Sequence, residues 1–414
     1  MEQDILLLEL IEQTKEILKK YGLKKKTMQM YQSYGFNPIK RYYDKLNQSI
    51  YSEELTWKFV IISRKQYEKG GINTTKFQCI RRTAVFLKQR HFNKEIVWRS
   101  LPHWTTTKLK FPFNELIKQY EQEKLDSGYC ITTMRGYKPV IKHFLLYVES
   151  LQYQDLLLLT KKDITKYLPV LSENYSSVGD CLSVLRSFGN FLLRHNLINA
   201  DLISVFQVSV PVRRKFAIGF THEEANRIIS AVNRSTTLGK RDYAILMLVK
   251  YTGLRAIDIL YLKFAAIDWD KQELRIIQHK TGNELILPLT TNVCNAIADY
   301  ILNGRPKSEI PYVFLRNRNP YMPLKSWSGH SIVKRNAAKI GITWTKEEHK
   351  GFHSFRRSLG NWMLEAEIPL DTIKEVLGHS DRNSTKPYIA AHLSGLLNCA
   401  ISLQGIQTTR EELL

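Results

Sequence analysis

Apolar residues recur every three to four positions along most of this chain, so the pattern predicts helices nearly throughout. The first stretch, MEQDILLLELIEQ, reads as an amphipathic helix, and Lys76 to Arg99 carries the same period with a basic face. Phe113 or Asn114 opens a helix through Leu125. Gly128 breaks it, and Thr132 or Thr133 caps the next, whose inward face is Tyr137, Val140, Phe144 and Val148. Thr160 caps a short helix around Ile164 to Leu168, and Ser176-Ser177 opens one with Leu182, Leu185, Phe188, Phe191 and Leu192 inward. Thr221 and Glu224 form a capping-box pattern. A strongly apolar helix, Tyr243 to Tyr251, then stops at Gly253, a residue suited to a left-handed cap. Helical patterns return at Asn292 to Leu302 and Ser331 to Ile340. The clearest period-two signal is Leu274 to Gln278 and Glu284 to Pro288, flanking His279-Lys280-Thr281-Gly282-Asn283, which predicts a hairpin with Lys280 near its tip. The expected class is mainly α with a small antiparallel β-sheet in the C-terminal part.

Punctuation divides the chain. Turn signals stand at Tyr34-Gly35 and Gly70-Gly71, and the stretch from Trp98 to Phe113, with Pro102, Pro112 and three consecutive threonines, has no period and reads as a linker. Phe206 to Phe220 is β-rich and basic, contains Pro211, and reads as an extended linker. The expected organisation is an N-terminal, mostly helical region over 1–110, a helical bundle over 111–205, a linker over 206–220 and a C-terminal domain over 221–414. At 414 residues, two to four domains are expected.

Charge changes the picture more than composition does. The net charge is +22, which points to a polyanionic partner, most often nucleic acid. It is uneven: residues 1–110 hold 22 Lys and Arg against 10 Asp and Glu, the middle 111–205 balances 10 against 10, and 206–414 holds 29 against 19. Both ends are therefore candidate DNA-contacting regions. Lys24-Lys25-Lys26 is a short basic cluster. From Lys76 to Arg99, Arg81, Arg82, Lys88, Arg90 and Arg99 interleave with Phe77, Phe86, Phe92 and Trp98, which reads either as a backbone-tracking surface or as a solvated basic helix face. Arg213, Arg214 and Lys215 in the second linker carry the same two readings. The five cysteines are scattered, with no C-x-x-C pair, so a reducing compartment with buried thiols is the default. The acidic N-terminus lacks a basic leader, and no apolar run approaches a membrane span, so a cytoplasmic, nucleoid-associated protein is expected.

Candidate chemistry concentrates in Gly351 to Ala391. His353 and Arg356 form H-x-x-R, Leu377-Gly378-His379 follows, and Tyr388 stands in S-T-K-P-Y-I-A. Ser354 is expected to cap a helix through Glu365. Pro369 and Asp371 begin another that Gly378 ends, holding His379 beyond its terminus. Upstream, Arg255 follows Gly253, and Asp258 is placed to fix its guanidinium from behind. Such residue types suit DNA strand cleavage. Charge builds on the non-bridging oxygens of a phosphodiester in its pentacoordinate transition state, and two arginines can clamp them with fork geometry. A tyrosine of pKa about 10 is about one part in a thousand ionised at neutral pH and needs a cationic site or a base to attack. The departing 5′-oxygen needs a proton, from a lysine or a histidine. His349 and His353 share metal-ligand spacing, but the pair straddles Gly351 without a third ligand. Neither metal nor nucleotide cofactor is expected.

The ordered set TGLRAIDIL, HKTGN, HSFRRS, LGHS and TKPYIA closely resembles the tyrosine recombinases of the phage integrase family, over roughly Val210 to Ala391. The resemblance implies a C-shaped DNA clamp, built from a helical, SAM-like core-binding domain and a catalytic domain. It implies that Arg255 and Arg356 bind the scissile phosphate, Tyr388 is the nucleophile and Lys280 the general acid. His353 would assist proton transfer and His379 would hydrogen-bond the phosphate. H-S-F-R-R-S replaces the commoner H-x-L-R-H outside the catalytic positions, and the first hundred residues match least. The family implies double-stranded DNA recombination sites, four protomers on two synapsed sites, and in some systems an accessory excision factor. The amphipathic tail Ser394 to Gln404 would dock on a neighbouring protomer or close its own domain. The expected function is integration or excision of a bacterial mobile element or prophage through a 3′-phosphotyrosine. A type IB-like topoisomerase and a non-catalytic DNA-binding relative are the alternatives.

Overall fold

The computed structural model describes residues 5–93, 95–98, 101, 109, 112–153, 155–207, 219–345, 348 and 350–378. His379, Tyr388, the tail and most of both expected linkers lie outside them. Two compact units emerge: Pro102–Lys215, and Met1–Leu101 together with Phe216–Leu414. No helix among the described residues is long and apolar enough to cross a membrane.

The N-terminal part of the larger unit is helical: α1 (Leu7–Lys20), α2 (Lys25–Tyr31), a π-helical turn (Gln32–Phe36), α3 (Asn37–Asp44), α4 (Glu53–Glu68) and α5 (Thr74–Asn93). Its core gathers Leu10, Leu18, Phe36, Ile39, Tyr43 and Phe86. The structure adds to the sequence pattern at two places here. Gly35 does not turn the chain. It lies inside a continuous helical run, where a Cβ would sit 2.0 Å from Thr83 Oγ1, so glycine permits close packing of two helices. The stretch from Lys76 to Arg99, open to two readings, is not a continuous exposed basic face: Arg81 is buried and Arg82 and Arg90 are half-buried, while Lys88 is exposed. Phe77 and Phe86 are core residues, and Trp98 packs edge-on and tilted against Tyr31 and Phe86, leaving Phe92 as the exposed ring of the set.

The smaller unit holds α6 (Phe113–Asp126), α7 (Ile131–Ser150), α8 (Lys161–Asn174), α9 (Val178–Arg194) and the short α10 (Ile203–Phe206) around Leu145, Val148, Tyr167, Leu185, Phe188 and Phe191. Thr160 caps α8 as expected, and with Asp163 it closes a reciprocal capping box. The cap of α7 falls on Cys130, not on Thr132 or Thr133, which enter the helix. Phe206, expected in the linker, ends α10 and is buried.

The C-terminal part comprises α11 (His222–Ser230), α12 (Thr237–Thr252), α13 (Ala256–Leu260), strands β1 (Ile267–Asp268), β2 (Glu273–Ile277) and β3 (Glu284–Pro288), then α14 (Thr291–Asn303), α15 (Ser328–Ala338), α16 (Phe352–Glu365) and α17 (Leu370–Leu377). The sheet is antiparallel in the order β1-β2-β3, with Leu274 opposite Leu287 and Ile277 opposite Glu284. Helix α12 is buried along most of its length because α14 and α16 cover it, which is why its sequence is apolar almost all round. The Thr221–Glu224 box is present in both directions. Ser354 does not cap α16: the helix begins two residues earlier at Phe352, and Ser354 Oγ instead accepts the Gly351 N–H at 3.0 Å.

Gly253 ends α12 at φ +60°, and a Cβ there would lie 2.8 Å from Leu377 and 2.9 Å from Leu359. Both the left-handed backbone and the close packing exclude a side chain. Gly253→Ala should therefore destabilise the protein by about 1–3 kcal/mol, read as a lower urea midpoint.

Candidate phosphate site

The site is assembled from the ends of elements. Arg255 is the N-cap of α13, immediately after the left-handed stop at Gly253. It is half-buried, and its Nη1 donates to Gln278 Oε1 at 2.8 Å while Nη2 reaches the Gly378 carbonyl at 3.4 Å. Arg356, in α16, is 1% exposed. Its Nη1 donates to the Gly253 carbonyl at 2.8 Å, and its Nη2 donates to the Leu377 carbonyl. Those carbonyls belong to the C-terminal ends of α12 and α17, both stopped by glycines with positive φ. Helix C-termini carry partial negative charge, so each arginine is held by dipoles. Among the described residues no carboxylate comes within ion-pair distance of Arg255 or Lys280, and the site keeps an excess of positive charge.

Lys280 lies at the exposed tip of the β2–β3 hairpin. The hairpin base is fixed by Asp258, whose Oδ1 accepts the His279 N–H at 2.9 Å and lies 3.4 Å from His279 Nδ1. This corrects the expected role of Asp258 behind Arg255. Gln278 holds that place: it is fully buried, and its Oε1 accepts from both Arg255 and Thr281 Oγ1, each at 2.8 Å. Sequence reading passed over Gln278, yet a signal existed. Leu274, Ile276 and Gln278 share the inward register of β2, and a polar residue on an inward register needs an internal partner.

His353 sits in the first turn of α16 and faces the same ground. Its pKa is pushed down to about 4, by desolvation and then by the cations Arg357, Arg356, Arg255 and Lys280. The residue is exposed to solvent, so the surrounding charges carry this direction more firmly than burial does. Four expected site residues, Arg255, Lys280, His353 and Arg356, are thus brought together; His379 and Tyr388 fall outside the described residues. Among the described residues no group of three or more His, Cys, Asp and Glu is arranged to hold a metal, and His349 is not among them.

The arrangement offers guanidinium N–H groups, a mobile ammonium and a neutral imidazole to an anion of phosphate size. Comparison with known proteins is consistent with that chemistry. The phage integrase family profile matches residues 219–394. A putative integrase/recombinase of Sinorhizobium fredii (strain NBRC 101917 / NGR234), y4rA, is 30% identical over 298 residues, covering 70% of this chain and 71% of that protein. Tyrosine recombinase XerC of Bacillus pumilus (strain SAFR-032) is 27% identical over 65% of this chain and 88% of its own length. Among solved structures, XerH site-specific recombinase bound to a palindromic difH substrate shares the fold, with a TM-score of 0.56 at 14% identity over 81% of this chain and 92% of that one.

Neutralising the surrounding cations should raise the His353 pKa. NMR titration is expected to find it well below the ordinary histidine value in the free protein and higher with duplex DNA bound. In the free protein, the unfolded chain takes up this proton first as pH falls from about 6.5 toward about 4, so His353 should lower stability through that window. A His353→Gln variant should show a shallower loss of stability over the same range.

Proposed function

Because this chain belongs to the phage integrase family of tyrosine recombinases, a family of site-specific recombinases, we propose that it cuts and rejoins duplex DNA at the ends of a bacterial mobile element through a 3′-phosphotyrosine. The observation that carries this reading is the convergence of Arg255, Arg356 and Lys280 on His353, with Arg255 and Lys280 free of carboxylate partners among the described residues.

In the proposed reaction, Arg255 directs its remaining N–H groups at the non-bridging oxygens of the scissile phosphate, with Arg356 beside it in the wall of the site. The Tyr388 oxygen attacks phosphorus and its proton leaves to a neighbouring base. The phosphorus–O5′ bond breaks, and the departing oxygen takes a proton from Lys280. In the free protein His353 is held neutral at pH 7, which favours proton acceptance over donation. It fits the role of proton acceptor and hydrogen-bond partner, which leaves Lys280 as donor. His379 completes the phosphate contacts. The bond energy is kept in the phosphotyrosine, so a 5′-hydroxyl can attack in the reverse sense and reseal the strand. Four protomers on two synapsed sites, with an accessory factor for excision, would exchange strands pairwise.

Nicked suicide substrates carrying the element's ends should trap a detergent-resistant protein–DNA adduct with the wild-type protein and none with Tyr388→Phe. Equal adduct from both would remove Tyr388 as nucleophile, and relaxation of a site-free plasmid without recombinants would point to a topoisomerase. Arg255→Lys keeps the charge but loses the fork, and should slow adduct formation by about 10²- to 10³-fold while DNA affinity changes little.

A further inference from the structure

The basic cluster at Lys24-Lys25-Lys26 has no part in the site above. Together with Lys19 and Lys20, at the end of α1, these residues place five exposed lysines around one turn. Lys19 and Lys20 suit the last turn of α1, where the helix dipole favours cations, but the fold does not account for Lys24-Lys25-Lys26. The dipole favours acids at a helix start, yet α2 opens on lysines with no acidic residue in its first turn and no side-chain cap. None of the five has a carboxylate within ion-pair distance among the described residues, whereas Lys15 on the same helix is paired with Glu12.

The turn is seated against the C-terminal part of the same unit. Asn319 Nδ2 donates to the Gly22 carbonyl, in the middle of the five lysines. Asn319 belongs to a hairpin-like loop closed by the Leu315–Pro323 bridge and by Arg316 N–H donating to the Met322 carbonyl at 2.8 Å. That loop carries Arg316, exposed Arg318 and, just beyond, Lys325. Arg82 of α5 reaches toward it too, since Arg316 and Arg82 both depress the Lys325 pKa after desolvation does. Lys325 therefore stands beside two like charges, and the Asn319–Gly22 contact sets the five exposed lysines of the turn against the same loop, a basic surface suited to an external polyanion.

We propose that the Lys19–Lys26 turn and the Arg316–Lys325 loop form one surface that grips the backbone of duplex DNA, at phosphates other than the one held by Arg255 and Arg356. The N-terminal region then serves as an extension of the catalytic part's own DNA surface. This rests on the recombinase reading for its choice of polyanion, and it concerns sequence-independent backbone contact, because lysine ammonium groups read charge and not bases.

The test compares Lys24→Gln/Lys25→Gln/Lys26→Gln with a control triple of equal charge, Lys45→Gln/Lys65→Gln/Lys69→Gln. Binding to a long labelled duplex of arbitrary sequence is followed across a salt series. The first triple should flatten the slope of log affinity against log salt by about two to three, and Arg318→Gln by about one. The control should change it by less than about one. Unchanged thermal midpoints would exclude misfolding of these exposed positions. Equal slopes for the two triples, no effect of Arg318→Gln, or lysine-dependent binding of phosphatidylserine vesicles in place of duplex would each overturn the proposal. Adduct formation on the suicide substrate should persist in the first triple. Absence of adduct from the wild-type protein would count against the recombinase reading, not against this surface.

Discussion

Arg356 is the interaction on which the C-terminal architecture turns. A guanidinium with 1% exposure is costly to bury unless its N–H groups are met, and two of the groups that meet it are carbonyls at the ends of α12 and α17. One side chain therefore ties together two helices that are more than a hundred residues apart in the chain. The two glycines make this possible: by turning left-handed at Gly253 and Gly378, the backbone ends each helix where its last carbonyls face the arginine.

The same constraint orders the second tier. Arg255 leaves α12 just past Gly253 and touches the Gly378 carbonyl from the other side, so both arginines read the position of α17. Gln278 links Arg255 to the hairpin that carries Lys280, and Asp258 pins the hairpin's base through the His279 N–H. Gly378 is hemmed in as well: a Cβ there would lie 2.3 Å from the Gln278 amide nitrogen. Polar anchors inside the fold hold the basic groups, and dipoles, not carboxylates, hold Arg255. A carboxylate would neutralise the guanidinium, whereas a carbonyl positions it and leaves its charge available to an incoming phosphate.

That excess of charge has a consequence for proton transfer. A histidine among four cations binds its proton weakly, so the charges that suit the site to an anion also hold His353 neutral. Among the described residues, Lys24 and Arg318 likewise lie exposed without a carboxylate within ion-pair distance.

Much of this was legible in the residues. Helical period, the cap at Thr160, the capping box at Thr221, the glycine stops and the HKTGN hairpin are local, and local backbone preference is enough to specify them. The ordered set of Arg255, Lys280, His353 and Arg356 was visible too, because each stands beside a strong punctuation signal. What a one-dimensional pattern does not contain is which distant group fills a buried hydrogen-bonding need. Asp258 was the nearer acid in sequence, yet Gln278 partners Arg255, because strand register turns the glutamine inward and the acid is taken by the hairpin N–H. Gly35 read as a turn and is a packing point against Thr83, and Phe77 and Phe86 of α5, which interleave with basic residues, are buried. The sequence by itself determined the elements and the reactive groups, since those follow from neighbours a few residues away. Only the tertiary structure decided their partners and their charges, since desolvation and hydrogen bonding depend on atoms that the chain brings together from far apart.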